Sequence, residues 1–129
     1  GLKMLQASGV VLAIITGRNS RVVEHRARNL GIGIVHQGAH DKLAVYEALC
    51  RDLSIDCEAT AYMGDDVVDL PVMRRAGLAI TVPAAPELVK AYSHYTTTRE
   101  AGRGAVREAC EFLMRAQGTL DAALAPYLK

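Results

Sequence analysis

Short runs of apolar, largely β-branched residues alternate along the chain with stretches whose apolar positions recur at helical spacing. The longest run, residues 10–15, is apolar at every position, which is typical of a strand buried on both faces of a sheet. Strands are predicted at residues 10–15, 32–35, 59–63, 78–82 and, at an edge, 94–97. Strands separated by helical stretches favour right-handed crossovers, so the pattern predicts an α/β fold with a doubly wound parallel sheet.

Capping residues set the bounds of the helices between these strands. Asn19 or Ser20 can begin a helix that runs to residue 30, and Asp41 can begin the next. A glycine that directly follows the last apolar position of a helical stretch is typical of the end of a helix. Helices are predicted at residues 2–7, 20–30, 41–53, 67–76, 87–91 and 104–115.

Length and charge limit the classes of protein that this chain can represent. Its 129 residues suit one domain, residues 1–129, and a formal net charge of +1 excludes a general nucleic-acid or anionic-membrane binder. The longest apolar run is too short to span a bilayer, and the N-terminus lacks a signal pattern, so we expect a cytoplasmic protein. Three widely spaced cysteines predict reduced, buried thiols.

Polar residues follow three of the predicted strands at their carboxyl ends. Thr16-Gly17-Arg18 follows the first strand, a loop leading to Lys42 follows the second, and Asp65, Asp66 and Asp69 follow the third. In parallel sheets these ends meet at one crevice, where ligands bind. A hydroxyl, an ammonium group and carboxylates together suit a phosphate with a divalent cation such as Mg²⁺.

Each of these segments also has a purely structural interpretation. Thr16-Gly17-Arg18 could form a tight turn, and Lys42 could be a solvated charge on a helix. The carboxylates are more informative, because like charges crowded at a strand end repel unless a cation or hydrogen-bond donors compensate them. The chain has neither a dinucleotide-binding glycine motif nor a P-loop, which disfavours those two chemistries.

Taken together in chain order, these segments resemble motifs II, III and IV of haloacid dehalogenase superfamily phosphatases. The match consists of Thr16-Gly17-Arg18, Gln37-Gly38 with Lys42, and residues 64–73. Within the superfamily the chain is most similar to the capless 3-deoxy-D-manno-octulosonate 8-phosphate phosphatase group, whose C-terminal signature residues 102–108 also resemble.

The resemblance implies a Mg²⁺-dependent hydrolysis of a sugar acid phosphate through an aspartyl phosphate, in lipopolysaccharide biosynthesis. By motif, Thr16 would bond the phosphoryl oxygens and Lys42 would steady nucleophile and phosphate. Asp65 would ligate the metal, and Asp69 would support the metal site indirectly. The resemblance further implies substrate contacts by Arg18, Arg26 and Lys3, and a homo-oligomer, commonly a tetramer. In the chain itself Leu120, Leu124, Tyr127 and Leu128 form an apolar tail that should dock on something.

One motif of the family has no counterpart in the sequence. Motif I is an Asp-x-Asp at the end of the central strand, and no Asp precedes Asp41. We therefore expect an N-terminally incomplete domain that is inactive on its own and whose nucleophile lies upstream. Either further residues precede Gly1, or the chain is a fragment whose sheet has a gap or borrows a strand.

Two other functions stay open at this point. The first is a non-catalytic oligomerisation module of the kind fused to sialate cytidylyltransferases, and the second is a phosphate-sensing domain without turnover. Retention of Thr16, Lys42 and Asp65 argues against a purely structural module, which has no need of a phosphate and metal constellation.

Overall fold

Helices and short strands alternate through the computed structural model of the protein, which describes residues 1–128. The strands are β1 (Ala13–Ile15), β2 (Ile34–His36), β3 (Ala61–Met63), β4 (Leu78–Thr81) and β5 (Tyr95–Thr96). The helices are α1 (Leu2–Ala7), α2 (Arg21–Asn29), α3 (Lys42–Asp52), α4 (Leu70–Met73), α5 (Glu87–Ala91), α6 (Ala105–Gln117) and α7 (Leu120–Leu124). Short 3-10 helices cover Cys57–Ala59, Val67–Asp69 and Ala125–Tyr127.

All strand pairs are parallel, as predicted, but they form two sheets. β1 pairs with β2 in one sheet, and β3, β4 and β5 pair in that order in the other. Within residues 1–128, β1 and β3 are not hydrogen-bonded to each other, so the parallel array is interrupted between them. A gap of this kind is one of the alternatives that the sequence analysis leaves open.

Side-chain caps fix the starts of the two helices that follow β1 and β2. The Ser20 hydroxyl accepts from the backbone N–H of Val22 at 3.1 Å, and Asp41 accepts from Ala44 at 3.1 Å. Ser20, rather than Asn19, is therefore the residue that caps α2. Because Asp41 begins α3, Lys42 becomes the first helical residue and faces the carboxyl ends of the strands.

The core consists of three apolar clusters. The first joins β3 and β4 to α4, α5 and α6, the second packs α1 against α6, and the third packs α3 against α4. Their buried members include Met73, Ala79, Val89, Leu5, Cys110, Met114, Tyr46, Cys50 and Val72. The three cysteines are free thiols, two of them buried and Cys57 half-buried, which agrees closely with the sequence prediction.

The first strand differs from its prediction. Only Ala13–Ile15 are strand, Ala13 is exposed, and Val11 keeps 58% of its surface exposed, so burial on both faces is wrong for this segment. The exposure of Ala13 has a local cause, because one edge of β1 borders a cleft instead of another strand; Val11 precedes the strand and does not line that cleft.

The segment after β3 also differs from the prediction. Residues 67–76 do not form one helix, because Pro71 has no N–H to donate to Val67; a 3-10 turn leads into α4 instead. Near the C-terminus, Leu120 packs against the α1–α6 cluster, whereas Tyr127 and Leu128 are 74% and 79% exposed. No helix in the described residues combines the length and apolarity needed to cross a bilayer.

Candidate functional site

A buried ion pair lies at the carboxyl ends of the strands. The Lys42 Nζ and the Asp69 Oδ1 are 2.8 Å apart, with 18% and 5% of the respective side chains exposed. Lys42 begins α3, and Asp69 ends the 3-10 turn that follows β3. The pair therefore joins the helix that follows β2, in one sheet, to the turn that follows β3, in the other sheet.

Asp69 accepts four hydrogen bonds. Its Oδ1 accepts from Lys42 and from the Tyr62 hydroxyl, each at 2.8 Å. Its Oδ2 accepts from the backbone N–H groups of Asp65 at 3.1 Å and Asp66 at 3.2 Å. Burial alone would raise the pKa of the Asp69 carboxyl, but the bonds from Lys42 and Tyr62 outweigh it and hold that pKa below its usual value. Asp69 is thus an ionised anchor whose oxygens are already engaged.

Gly64 makes this arrangement sterically possible. A Cβ at position 64 would lie 2.5 Å from the Asp69 Cβ, so any side chain there would displace the carboxylate. The Asp69 side chain therefore packs against bare backbone directly after β3.

The three aspartates after β3 have different surroundings. Asp66 caps the 3-10 turn, accepting from the backbone N–H of Val67 at 2.7 Å. Asp65 is exposed, and its carboxylate accepts no hydrogen bond and forms no ion pair within residues 1–128. Carboxylate oxygens without other partners suit a hard divalent cation, so Asp65 is the aspartate that fits a metal ligand. No three His, Cys, Asp or Glu side chains of the described chain converge to hold a metal by themselves.

The loop after β1 is tied to the loop after β2. Thr16 donates its N–H to the His36 carbonyl, and its own carbonyl accepts from Ala39, both at 2.9 Å. The Thr16 Oγ1 accepts from the Arg18 N–H at 3.1 Å, which leaves the hydroxyl proton for a ligand. Gly38 supports the crossing with a positive φ of 64°. The segment is therefore a tight turn, as its structural interpretation expects, and it also leaves the Thr16 hydroxyl as a donor.

A cavity of about 910 Å³ collects most of the predicted residues. Of the sites proposed from sequence, those lining it are Thr16, Arg18, Arg26, Lys42, Asp65 and Asp69. Lys3 is not among them; it lies on a different face of α1 from Leu2 and lines a separate cavity beside α7. Sequence reasoning did not single out Tyr62 or His40, although His40 lines the large cavity and Tyr62 binds Asp69.

A second cavity of about 500 Å³ fills the interruption between the sheets. Residues 12–15 and 61–65 line it without a break. Because successive strand residues point to opposite faces, such a lining means that the cavity runs along the edges of β1 and β3. Lys42, Asp65 and Asp69 line both cavities, so the cleft opens at the ion pair.

The assembled site can bind a phosphoryl group. It combines a free hydroxyl donor on Thr16, the ammonium of Lys42 and a carboxylate on Asp65 that can hold a cation. Two guanidinium groups, those of Arg18 and Arg26, add positive charge at the mouth.

Comparison with known proteins gives consistent matches. The family model described as haloacid dehalogenase-like hydrolase matches residues 1–77. Over 123 residues, or 95% of this chain, the sequence is 43% identical to 3-deoxy-D-manno-octulosonate 8-phosphate phosphatase KdsC of Yersinia pestis and to KdsC of Escherichia coli K12. The alignments cover 66% and 65% of those proteins, so the chain spans just under two thirds of their length.

Solved structures match with high similarity. The 3-deoxy-D-manno-octulosonate 8-phosphate phosphatase of Moraxella catarrhalis, in complex with magnesium ion, phosphate ion and KDO, superposes with a TM-score of 0.95 at 46% identity. The match covers 98% of this chain and 72% of that one. A probable YrbI family phosphatase of Pseudomonas syringae gives a TM-score of 0.97 at 48% identity, covering 99% and 73%.

Proposed function

Because the chain belongs to the haloacid dehalogenase-like hydrolase family, within the group of 3-deoxy-D-manno-octulosonate 8-phosphate phosphatases, we propose that it forms the phosphate-binding part of a Mg²⁺-dependent phosphatase. The substrate is a sugar acid phosphate, foremost 3-deoxy-D-manno-octulosonate 8-phosphate. The observation that carries the proposal is the meeting of Thr16, Asp65 and the Lys42–Asp69 pair in one cavity.

Each residue of the cavity has a role that its contacts support. The Thr16 hydroxyl donates to a phosphoryl oxygen, and Lys42 offsets the phosphate charge while Asp69 holds it in place. Asp65 would hold Mg²⁺ together with waters and further carboxylates from outside this chain. When bound, the cation would neutralise charge on the phosphoryl oxygens.

The attacking group comes from outside the 129 residues in this proposal. Aspartyl-phosphate chemistry needs a carboxylate in line with the phosphorus. Asp65 is reserved for the cation, and Asp69 is enclosed by four donors. The cleft between β1 and β3 opens at the ion pair, which makes it the route by which a strand could bring an Asp-x-Asp to the phosphate.

Substrate selection rests on the two arginines. Arg18 and Arg26 are exposed and line the cavity mouth, and guanidinium forks match the planar carboxylate of a sugar acid. Alanine at either position should raise KM for the sugar acid phosphate far more than for p-nitrophenyl phosphate. Equal effects on the two substrates would remove the arginines from this role.

Assembly is the remaining part of the proposal. Tyr127 and Leu128 stay exposed after α7 has docked, and apolar residues of this size at a chain surface favour contact with another subunit. We propose a homo-oligomer, with a tetramer as the working state, acting in the cytoplasm. Light scattering that gives a monomer at micromolar concentration would contradict it.

The decisive experiment measures phosphate release by a protein that joins these residues to an Asp-x-Asp strand. With Mg²⁺, 8- and 9-carbon sugar acid phosphates should be hydrolysed, and Asp65→Asn should abolish the activity. Asp52→Asn, at an exposed position outside the cavity, is the matched control and should retain it. If no sugar phosphate is turned over while the protein still oligomerises, the non-catalytic module is the better description.

A further inference from the structure

We propose that Tyr62 is a positioning residue, whose hydroxyl fixes the orientation of the Asp69 carboxylate and thereby the place of the Lys42 ammonium in the cavity. This inference rests on the proposed function and names a part of the site that the sequence motifs do not contain. It concerns a side chain of β3 that otherwise resembles an ordinary core residue.

The hydrogen-bond donors around Asp69 bind different oxygens of its carboxylate. The two backbone N–H groups hold Oδ2, while Oδ1 accepts, among the described residues, from Lys42 and Tyr62 alone. Lysine is a point charge on a flexible four-carbon stem and cannot define a direction for the carboxylate by itself. Tyr62 has a rigid ring on a strand, so its hydroxyl is the donor that fixes the position of the Asp69 Oδ1 atom.

The surroundings of Tyr62 hold this donor in place. Its side chain packs against both the β3–β4 cluster and the α3–α4 cluster. Burial and the neighbouring Asp69 carboxylate raise the pKa of Tyr62 above its usual value, so the hydroxyl keeps its proton and donates. The bond therefore persists over the working pH range of a hydrolase.

Competition for Lys42 explains why the position of Asp69 matters. A phosphate in the cavity attracts the Lys42 ammonium toward its own oxygens, which weakens the ion pair with Asp69. The Asp69 carboxylate must then keep its orientation and not rotate toward the displaced ammonium. With the Tyr62 bond in place, Oδ1 keeps a neutral donor while Lys42 moves toward the phosphate. Without it, the carboxylate is free to follow the ammonium and to weaken its contact with the substrate.

Tyr46 provides a matched control. Its hydroxyl is also hydrogen-bonded, to Thr60 at 2.7 Å and to the Cys57 carbonyl at 3.3 Å, and its side chain is buried on α3. It does not line the phosphate cavity. Tyr46→Phe therefore removes a comparable hydroxyl with no contact to Asp69, and separates loss of stability from loss of positioning.

The first test needs no catalytic turnover. Lysine ammonium groups held in ion pairs give observable ¹H–¹⁵N signals, so the Lys42 signal reports how firmly it is held. Tyr62→Phe should shift or broaden this signal and weaken inorganic phosphate binding with Mg²⁺ by about tenfold, the loss of one charge-assisted hydrogen bond. Tyr46→Phe should change neither. An unchanged Lys42 signal and phosphate affinity in folded Tyr62→Phe would overturn the proposal.

A second variant and a kinetic measurement complete the test. If Tyr62→Phe fails to fold, 3-fluorotyrosine can be incorporated at position 62 instead, which makes the hydroxyl a stronger hydrogen-bond donor. The Lys42 signal should then be retained, and loss of that signal would contradict the proposal. In the protein with the Asp-x-Asp strand, Tyr62→Phe should lower kcat/KM for the sugar phosphate by about tenfold, in parallel with its weaker phosphate binding, whereas Tyr46→Phe should leave kcat/KM unchanged. An unchanged kcat/KM in Tyr62→Phe, or an equal loss in Tyr46→Phe, would overturn the positioning role. If the unaltered protein hydrolyses no sugar phosphate, the proposed function fails, and the Lys42 signal alone still decides the role of Tyr62.

Discussion

Replacement of Glu108 by glutamine should destabilise the protein through a loop that lies beside the candidate site. The Glu108 carboxylate accepts from the Tyr95 hydroxyl at 2.6 Å, from the Arg99 N–H at 2.9 Å, and from the N–H and hydroxyl of Thr98 at 2.9 to 3.0 Å. It thereby fastens the chain after β5 to the first turn of α6. Ala101, in the same loop, borders Asp65 across a small cavity.

The magnitude follows from the charge of the carboxylate. The bond from Tyr95, with the backbone N–H groups of Thr98 and Arg99, holds the pKa of Glu108 at about 2, against 4.5 for an unperturbed side chain. Without solvent screening, a pKa difference of this size corresponds to about 3 kcal/mol in the free energy of unfolding. Glu108 is only half-buried, and solvent screening reduces the expected loss in Glu108→Gln to about 1–2 kcal/mol. For a domain of this size that lowers Tm by about 3–10 °C.

The assay is urea unfolding of the unaltered chain and of Glu108→Gln as a function of pH. Because the folded pKa is depressed, the contribution is complete above about pH 5 and is lost as the pH falls from there toward 2. Glu111→Gln, one turn along α6 with only a surface contact to Arg107, is the matched control and should cost less than about 0.5 kcal/mol. A Glu108→Gln variant as stable as Glu111→Gln at pH 7, or a difference that does not shrink in acid, would refute the reasoning.

Three further predictions concern other parts of the molecule. Gly77→Ala should lower the free energy of unfolding by about 3 kcal/mol or more, because its Cβ would lie 1.9 Å from the Glu58 carbonyl oxygen; Gly33→Ala, with open space around it, should be nearly neutral in the same urea titration. Lys42→Met should cost about 3 kcal/mol in thermal unfolding, since it leaves Asp69 charged and buried, and a loss below 1 kcal/mol would contradict a buried pair. An apolar peptide ending in Asp-x-Asp should bind between β1 and β3 and raise Tm, whereas a scrambled peptide of equal composition should not.

The positions of most helices and the meeting of the site residues could be predicted because they depend on residue type and on the order of the elements. Asp41 caps a helix by its residue type, so Lys42 had to begin α3. Parallel strands end at one edge, so Thr16 and Asp65 had to approach Lys42. These inferences need only the order of the elements.

Other features depend on contacts that the sequence does not encode locally. Tyr62 has the pattern of a core strand residue, and only the packed structure brings its hydroxyl to Asp69. The three aspartates after β3 have different partners, and these depend on how Gly64 and Pro71 shape the backbone around them. Lys3 was expected in the site, but it lies on a different face of α1 from Leu2 and lines the cavity beside α7.

The interruption between β1 and β3 also divides the protein into two units of unequal local stability. β4 is hydrogen-bonded on both edges, and Ala79, Ile80 and Thr81 are fully buried, so its amides should exchange with solvent deuterium only when the whole domain opens. β1 has a single partner and borders a cleft, so its amides should exchange through smaller, more frequent openings. The Lys42–Asp69 pair spans the two units, and a phosphate that binds beside it would therefore slow exchange both in the β1–β2 unit and in β4, since it disfavours local openings at the site and opening of the whole domain alike.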